Sequence, residues 1–349
     1  MGYASFCAFA ALIIAQHYSP PKMQVITALH SQDITKNMEM VLTSNYARPM
    51  NNNDLAFNFL TKALELDEIE ADEASPHVMK AERLLESMEL KSTLESKENR
   101  RPLYKEDEIR VNLRRQIFDE LIEFERLEDD DEVALGQGGA KPKSPIKTER
   151  QAILLTGLPA SGKSTIANSI ADLYGAYIID SDFAKRKIPE FGHEFGASIV
   201  HEESSIITFG SRKPKYNDEF SLYEFCVAKG NNMVIPKIGS SCNSVRKIRD
   251  ALIEKGYKVH LLLVSLDRQE SCRRALSRYL ETQRYVPLGL VFDVYGNEPI
   301  LTYYRVRDDD SWSSTGKLST LELREKGPEI IHSKNRGPIN FLKETGGAS

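Results

Sequence analysis

The sequence predicts an α/β fold of the phosphate-loop NTPase or kinase-like kind: a mostly parallel sheet with helices on both faces, preceded by a mainly helical N-terminal region. Three observations predict it. The apolar run Gln151–Thr156 leads directly into Gly157-Leu-Pro-Ala-Ser-Gly-Lys163-Ser164 and then into a helical pattern. Further apolar runs at 175–179, 232–236 and 258–266 alternate with helical stretches, the pattern of parallel strands joined by crossover helices. The chain has 349 residues, 41% of them hydrophobic, which is enough to bury at least one full core.

The chain divides into three parts: residues 1–127, mainly helical; residues 128–149, a linker; and residues 150–349, the α/β unit. Met1–Ala15 is apolar, but no Lys or Arg precedes its apolar run and it is too short to span a bilayer. It is therefore a poor signal peptide and no membrane anchor. A buried helix is one reading of it, and a true start at Met23 is another. Asp54 can cap a helix carrying Leu55, Phe59, Leu60 and Leu64. Ser75-Pro76 reads as the start of the next, with Met79, Leu84, Leu85 and Met88 on its apolar side. A third spans the stretch from Glu106 to Leu127, with Ile109, Leu113, Ile117, Leu121 and Phe124 on one face and Arg114, Arg115, Glu120 and Glu123 on the others. The acidic run Glu128–Glu132, followed by Gly- and Pro-containing segments, reads as a solvated linker.

In the α/β unit, Gly175–Ile179 is a second strand ending at Asp180-Ser-Asp182. Asn232–Pro236 and Lys258–Leu266 are two more, separated by a helix at Ser244–Lys255. A helix from about Asp267 to Thr282 ends among Arg278 and Arg284. Beyond Asp308 the pattern weakens into polar turns. The phosphate loop, Asp180, Asp182 and Lys237 all fall at strand C-termini, where ligands of such sheets gather.

The loop motif carries the firmest chemistry, a nucleoside triphosphate site. Gly157, Pro159, Ala160, Ser161, Gly162 and Thr165 form the nucleotide-binding turn, whose backbone N–H groups, absent only at Pro159, wrap a phosphate, while Lys163 reaches the β/γ oxygens and the Ser164 hydroxyl holds Mg²⁺. Asp182 is placed to accept a hydroxyl proton as that oxygen attacks the γ-phosphorus of ATP. Asp180 suits a metal shell, although Asp180-Ser-Asp182 also reads as a capped helix start. Arg278 and Arg284 can clamp the transferring phosphoryl group, or merely end a solvated helix. Glu202 and Glu203 can bind an acceptor's hydroxyls or form a surface face. His193 and His201 stand apart from Cys and from each other, so they read as surface histidines. The net charge of −5 argues against nucleic acid as the default partner. Four widely spaced cysteines suggest neither zinc nor disulfides and fit a reduced cytoplasmic protein.

Three stretches, GLPASGKST, IIDSDFAKRKIPEF and SRYLETQRYVP, resemble the zeta toxins and their chromosomal relatives over roughly Arg150–Arg305. That family comprises phosphate-loop kinases acting on UDP-N-acetylglucosamine. The resemblance implies that Asp182 is the proton acceptor, that Arg278 and Arg284 are the lid arginines, and that the acceptor-binding Glu lies in Glu202-Glu203. It also implies a helical antitoxin over the ATP site, a role the N-terminal helices can take in cis as self-inhibition. Two departures stand out. Ile188-Pro189 replaces a common His-Pro, and Lys237 stands near the place of an acidic residue that helps hold the acceptor. Related effectors delivered into a target cell phosphorylate NAD, which keeps NAD and nucleic-acid ends open as alternative acceptors beside a switch without phosphotransfer.

Overall fold

The structure, a computed structural model, describes residues 48, 50–87, 91–193, 196–211, 213, 215, 216 and 220–345. The apolar start, Met23 and Met88 lie outside the described residues. Helix α1 (Asn53–Lys62) begins at Asn52, whose side chain caps the Asp54 N–H, so Asp54 lies in the first turn rather than at the cap.

Helix α2 (Glu68–Ser87) departs from the expected start at Ser75-Pro76, because Pro76 lies inside it. Asp67 caps it instead, accepting from the N–H groups of Ile69 and Glu70 at 2.9 and 2.8 Å. The carbonyl of Asp72, which loses its partner because Pro76 has no N–H, lies 3.5 Å from the Ser75 hydroxyl.

Helix α3 (Asp107–Glu123) buries Leu113, Ile117 and Leu121 as the apolar spacing predicts. It also buries Arg110, Arg114 and Glu120, whereas Ile109 is exposed, so its charged side is not a solvent face. Residues 128–149 lie against the α/β unit, with Val133 and Ala140 in its core cluster. The Ala140 N–H donates to the Leu121 carbonyl at 3.0 Å. A Cβ on Gly139 would meet the Phe124 carbonyl at 2.2 Å, so the close approach requires glycine.

The α/β unit continues as β1 (Gln151–Thr156), α4 (Lys163–Tyr174), β2 (Tyr177–Ile178), α5 (Ser181–Lys187), the short α6 (Gly196–Ile199), α7 (His201–Phe209), α8 (Leu222–Lys229), β3 (Met233–Lys237) and α9 (Cys242–Glu254). Then come β4 (Lys258–Ser265), α10 (Arg268–Thr282), a π-helical segment at Leu290–Tyr295, α11 (Glu298–Val306), β5 (Ser314–Ser319), α12 (Leu323–Lys326), β6 (Glu329–Lys334) and α13 (Pro338–Thr345).

The six strands order as β2-β3-β1-β4-β5-β6, parallel through β5, with β6 antiparallel at the edge. In register, Leu154 of β1 faces Ile235 of β3 and Leu261 of β4. Residues Ala152–Leu155 are fully buried, as a strand covered on both faces must be. The chain leaves β1 for β2 on one side and later crosses to β4 on the other. This topological switch opens a crevice beyond the C-terminus of β1, where the phosphate loop lies.

A second apolar cluster joins the α1–α2 hairpin to α10 and the π-helical segment. Phe59, Leu60, Leu64 and Val78 pack there with Cys272, Leu276, Tyr279 and Phe292. No helix of the described residues is long and apolar enough to cross a membrane.

Candidate active site

The loop after β1 has the backbone of a phosphate cradle. Gly157 has φ 155°, and a Cβ there would lie 2.5 Å from the Val264 carbonyl and 2.9 Å from Ser161 Oγ. Gly162, with φ 82°, starts α4 in the left-handed region, where an L side chain is strained. The loop is pinned from outside at three points. Ser271 of α10 donates to the Pro159 carbonyl at 2.5 Å, Thr320 donates to the Ser161 carbonyl at 2.7 Å, and Ala160 packs against the α1–α2 cluster. Ser161 Oγ is buried with no hydrogen-bond partner. Ser164 and Thr165 are exposed on the first turn of α4.

Lys163 folds over the loop, donating to the Gly157 carbonyl at 2.9 Å and to the Leu158 carbonyl. Burial pushes its ammonium down to about 8, with Arg278 acting in the same direction and Asp180 and Asp182 opposing. These four residues therefore share one electrostatic environment, although α4, α5 and α10 bring them from distant parts of the chain. Arg278 is exposed on α10.

Asp180 ends the β2 segment and caps α5, its Oδ1 accepting the Asp182 N–H at 3.0 Å. The helix-cap reading and the site reading hold together here. Burial first, and then the neighbouring Asp182, raise the Asp180 pKa. Asp182 stands in the first turn of α5 with its side chain 55% exposed, paired with Lys185 at 2.9 Å. Lys185, and after it Arg186, hold the Asp182 carboxyl well below the usual carboxylate range. It is ionised across the physiological range and accepts a hydrogen bond well, which suits orienting a hydroxyl more than removing its proton early.

The residues also fit a hard cation. Ser164 and Asp180 offer oxygen donors of the kind Mg²⁺ takes, with phosphate oxygens and water to complete the shell.

On the β3 side, the Lys237 ammonium lies 3.9 Å from the centre of the Phe209 ring. Burial, assisted by Lys185 and opposed by Asp180, lowers its pKa to about 7. His201, expected as a surface residue, instead has its Nε2 buried with no hydrogen-bond partner. Burial and then Lys185 push its imidazole down to about 3, so the ring is neutral. No spacing in the sequence signals this, because the pocket around it comes from α5 and β3.

The structure separates the two carboxylates proposed for the acceptor. Glu203 is wholly buried, bonded to Arg110 at 2.6 and 2.8 Å, to Arg114 at 2.9 Å and to the Thr93 hydroxyl at 2.6 Å. Burial raises its pKa, but the guanidinium of Arg110 and the other partners hold it below the ordinary value. Its oxygens are committed to the N-terminal region, which argues against the expected acceptor contact. Glu202 accepts from the Ser92 hydroxyl at 3.0 Å. Arg284 is likewise committed: its guanidinium bonds the Asp131 carboxylate and lies 5.3 Å from the Phe191 ring centre.

The loop after the central strand, the carboxylates after β2 and the arginine-bearing helix after β4 define a P-loop, kinase-like α/β protein. Residues 138–297 match the zeta toxin family. Among solved structures, it resembles one from the PezAT chromosomal toxin–antitoxin system of Streptococcus pneumoniae, with 19% identity, a TM-score of 0.40, and coverage of 67% of this chain and 85% of that one. The AvrRxo1-ORF1:-ORF2 complex is similar at 18% identity and a TM-score of 0.41, over 71% of this chain and 74% of that one. A gluconokinase from Sinorhizobium meliloti is similar at 16% identity and a TM-score of 0.30, over 57% and 93%. No curated protein sequence matches the chain.

Proposed function

We propose that this protein is an ATP-dependent small-molecule kinase that phosphorylates a hydroxyl of a nucleotide-containing acceptor, with UDP-N-acetylglucosamine as the first to try. The observation that carries the reading is the shared environment of Lys163, Asp182 and Arg278 at the C-terminal edge of the sheet. Loop N–H groups and Lys163 hold the donor's phosphates. Asp182 orients the acceptor hydroxyl toward the γ-phosphorus and receives its proton, and Arg278 and Arg284 neutralise charge on the phosphoryl oxygens. Ser164, with Asp180 in support, would hold Mg²⁺, which would supply further neutralisation of the phosphates.

A second reading keeps the chemistry and changes the acceptor. Lys237, placed beside Asp180 and Lys185 where a carboxylate would favour a sugar hydroxyl, favours an anionic group close to the reacting oxygen, as in NAD or a nucleic-acid end. Incubation with ATP and a panel of sugar nucleotides, NAD, nucleosides and oligonucleotides, followed by mass spectrometry, decides between the two. ATP binding without product on any acceptor would instead favour a nucleotide-dependent switch.

The zeta toxin match supports a toxin acting in the cytoplasm, of the producing cell or of a target cell, with a helical antitoxin as partner. The α1–α2 hairpin packs on α10 and touches the phosphate loop at Ala160. That placement suits bracing the arginine-bearing helix better than covering the nucleotide. We extend this to the domain organisation: the helical part, the 128–149 segment and the kinase unit work as one folded body.

A further inference from the structure

The two lid arginines have different surroundings. Arg278 bears on Lys163 and Asp182. Arg284 rests on Phe191 and is hydrogen-bonded to Asp131. Asp131 comes from the acidic run that the sequence assigns to solvent. Its side chain is 36% exposed and also pairs with Arg186 of α5 at 3.0 Å. The carboxylate is aimed by its own backbone: Asp129 caps the turn Asp130–Glu132 and accepts the Asp131 N–H at 2.8 Å. Burial disfavours its charge, but Arg284 and then Arg186 hold the Asp131 pKa below its ordinary value, so the counter-ion is present at physiological pH.

We propose that Asp131 is a positioning residue that parks Arg284 beside the cleft, so that the γ-phosphate of ATP must take Arg284 from Asp131. This rests on the kinase reading above. One carboxylate bridging Arg186 of the acceptor-side helix and Arg284 beyond the lid helix also ties the two walls of the cleft together before the donor arrives. The incoming phosphate carries more charge than Asp131 and offers more acceptor oxygens, so the exchange favours the bound state. Part-exposed ion pairs are worth about 0.2–1 kcal/mol, which sets the effect at roughly 1.4- to five-fold in ATP affinity.

The experiment titrates a fluorescent ATP analogue into the full chain and its Asp131→Asn, Asp131→Glu, Arg284→Met and Asp131→Asn/Arg284→Met variants. Circular dichroism checks the fold of each. Asp131→Asn is expected to bind roughly 1.4- to five-fold more tightly, Asp131→Glu to return toward the parent, and Asp131→Asn to give no gain in the Arg284→Met background. A gain that persists with Arg284→Met would mean that removing any negative charge suffices, and the proposal falls. Unchanged or weaker binding in Asp131→Asn also overturns it. Because binding is read without an acceptor, the kinase reading fails separately, as tighter ATP binding in Asp131→Asn with no phosphorylated product from any variant.

Discussion

Replacing Arg110 tests how the helical region is joined to the half of the chain that carries the phosphate loop. Arg110 is fully buried on α3 and donates to both oxygens of Glu190 at 2.9 Å and to both of Glu203 at 2.6 and 2.8 Å. Arg110→Met keeps most of the volume and leaves two carboxylates without this cation. Glu203 retains Arg114 and Thr93, whereas Glu190 retains only the Arg101 N–H at 2.7 Å among the bonds described. Removing one partner of a buried pair costs about 3–5 kcal/mol. The surviving contacts of Glu203 place this substitution near the lower end, about 3 kcal/mol. That is a large share of the roughly 5–15 kcal/mol by which domains are stable. Urea unfolding of the parent and Arg110→Met, followed by circular dichroism, reads the loss as a lower midpoint. Adding Glu190→Gln should recover part of it, because the stranded charge is removed. A loss below about 1 kcal/mol in Arg110→Met would refute the reasoning, since it would mean that the carboxylates reach water or that α3 detaches at little cost.

Truncation through Lys147 should give an insoluble or unfolded product, because it removes Arg110 together with Leu113, Ile117 and Leu121 of the main core; a folded, active fragment on gel filtration would contradict this. Lys163→Ala should weaken ATP binding along with turnover, whereas Asp182→Asn should leave ATP affinity nearly unchanged and lower turnover by about 10²–10⁴-fold; titration and steady-state kinetics separate the two. The Lys163 ammonium, with its pKa at about 8, must be charged to hold phosphate, so ATP affinity should be flat below pH 7 and about tenfold weaker at pH 9, a pH effect that Lys163→Met abolishes. Lys237 loses its charge as pH rises through about 7, so the KM of an anionic acceptor should rise between pH 6 and 8 in the parent and become flat in Lys237→Gln.

The phosphate loop and its strand were legible because every requirement is local: an apolar run, glycines where a Cβ would collide, and a helix start. The strands β2, β3 and β4 and the helices α9 and α10 followed from periodicity in the same way. Strand β5 was not legible, because Ser314-Thr-Gly-Lys-Leu-Ser319 has no apolar run and is held by pairing with β4 and β6 on either side. The continuous α2 was hidden by Pro76, a strong helix-start signal outweighed by the Asp67 cap. Spacing marked the apolar stripe of α3 but could not show that its arginines face buried carboxylates 80 to 93 residues away. The acidic run looked solvated for the same reason, since Asp131 finds its partners 55 and 153 residues away. Charge partners were not legible wherever the counter-ion is tertiary, and that includes those of two residues assigned to the site, Glu203 and Arg284.

The central claim is phosphoryl transfer to a hydroxyl through Asp182. The most direct measurement incubates the parent and Asp182→Asn with ATP, Mg²⁺ and the acceptor panel, and follows phosphorylated product by mass spectrometry under matched ATP occupancy. The account predicts one acceptor, UDP-N-acetylglucosamine or an anionic nucleotide, carrying an added phosphate with the parent, and a rate at least about 10²-fold lower with Asp182→Asn. Equal turnover in the two proteins, or no product on any acceptor while ATP is bound, would contradict it.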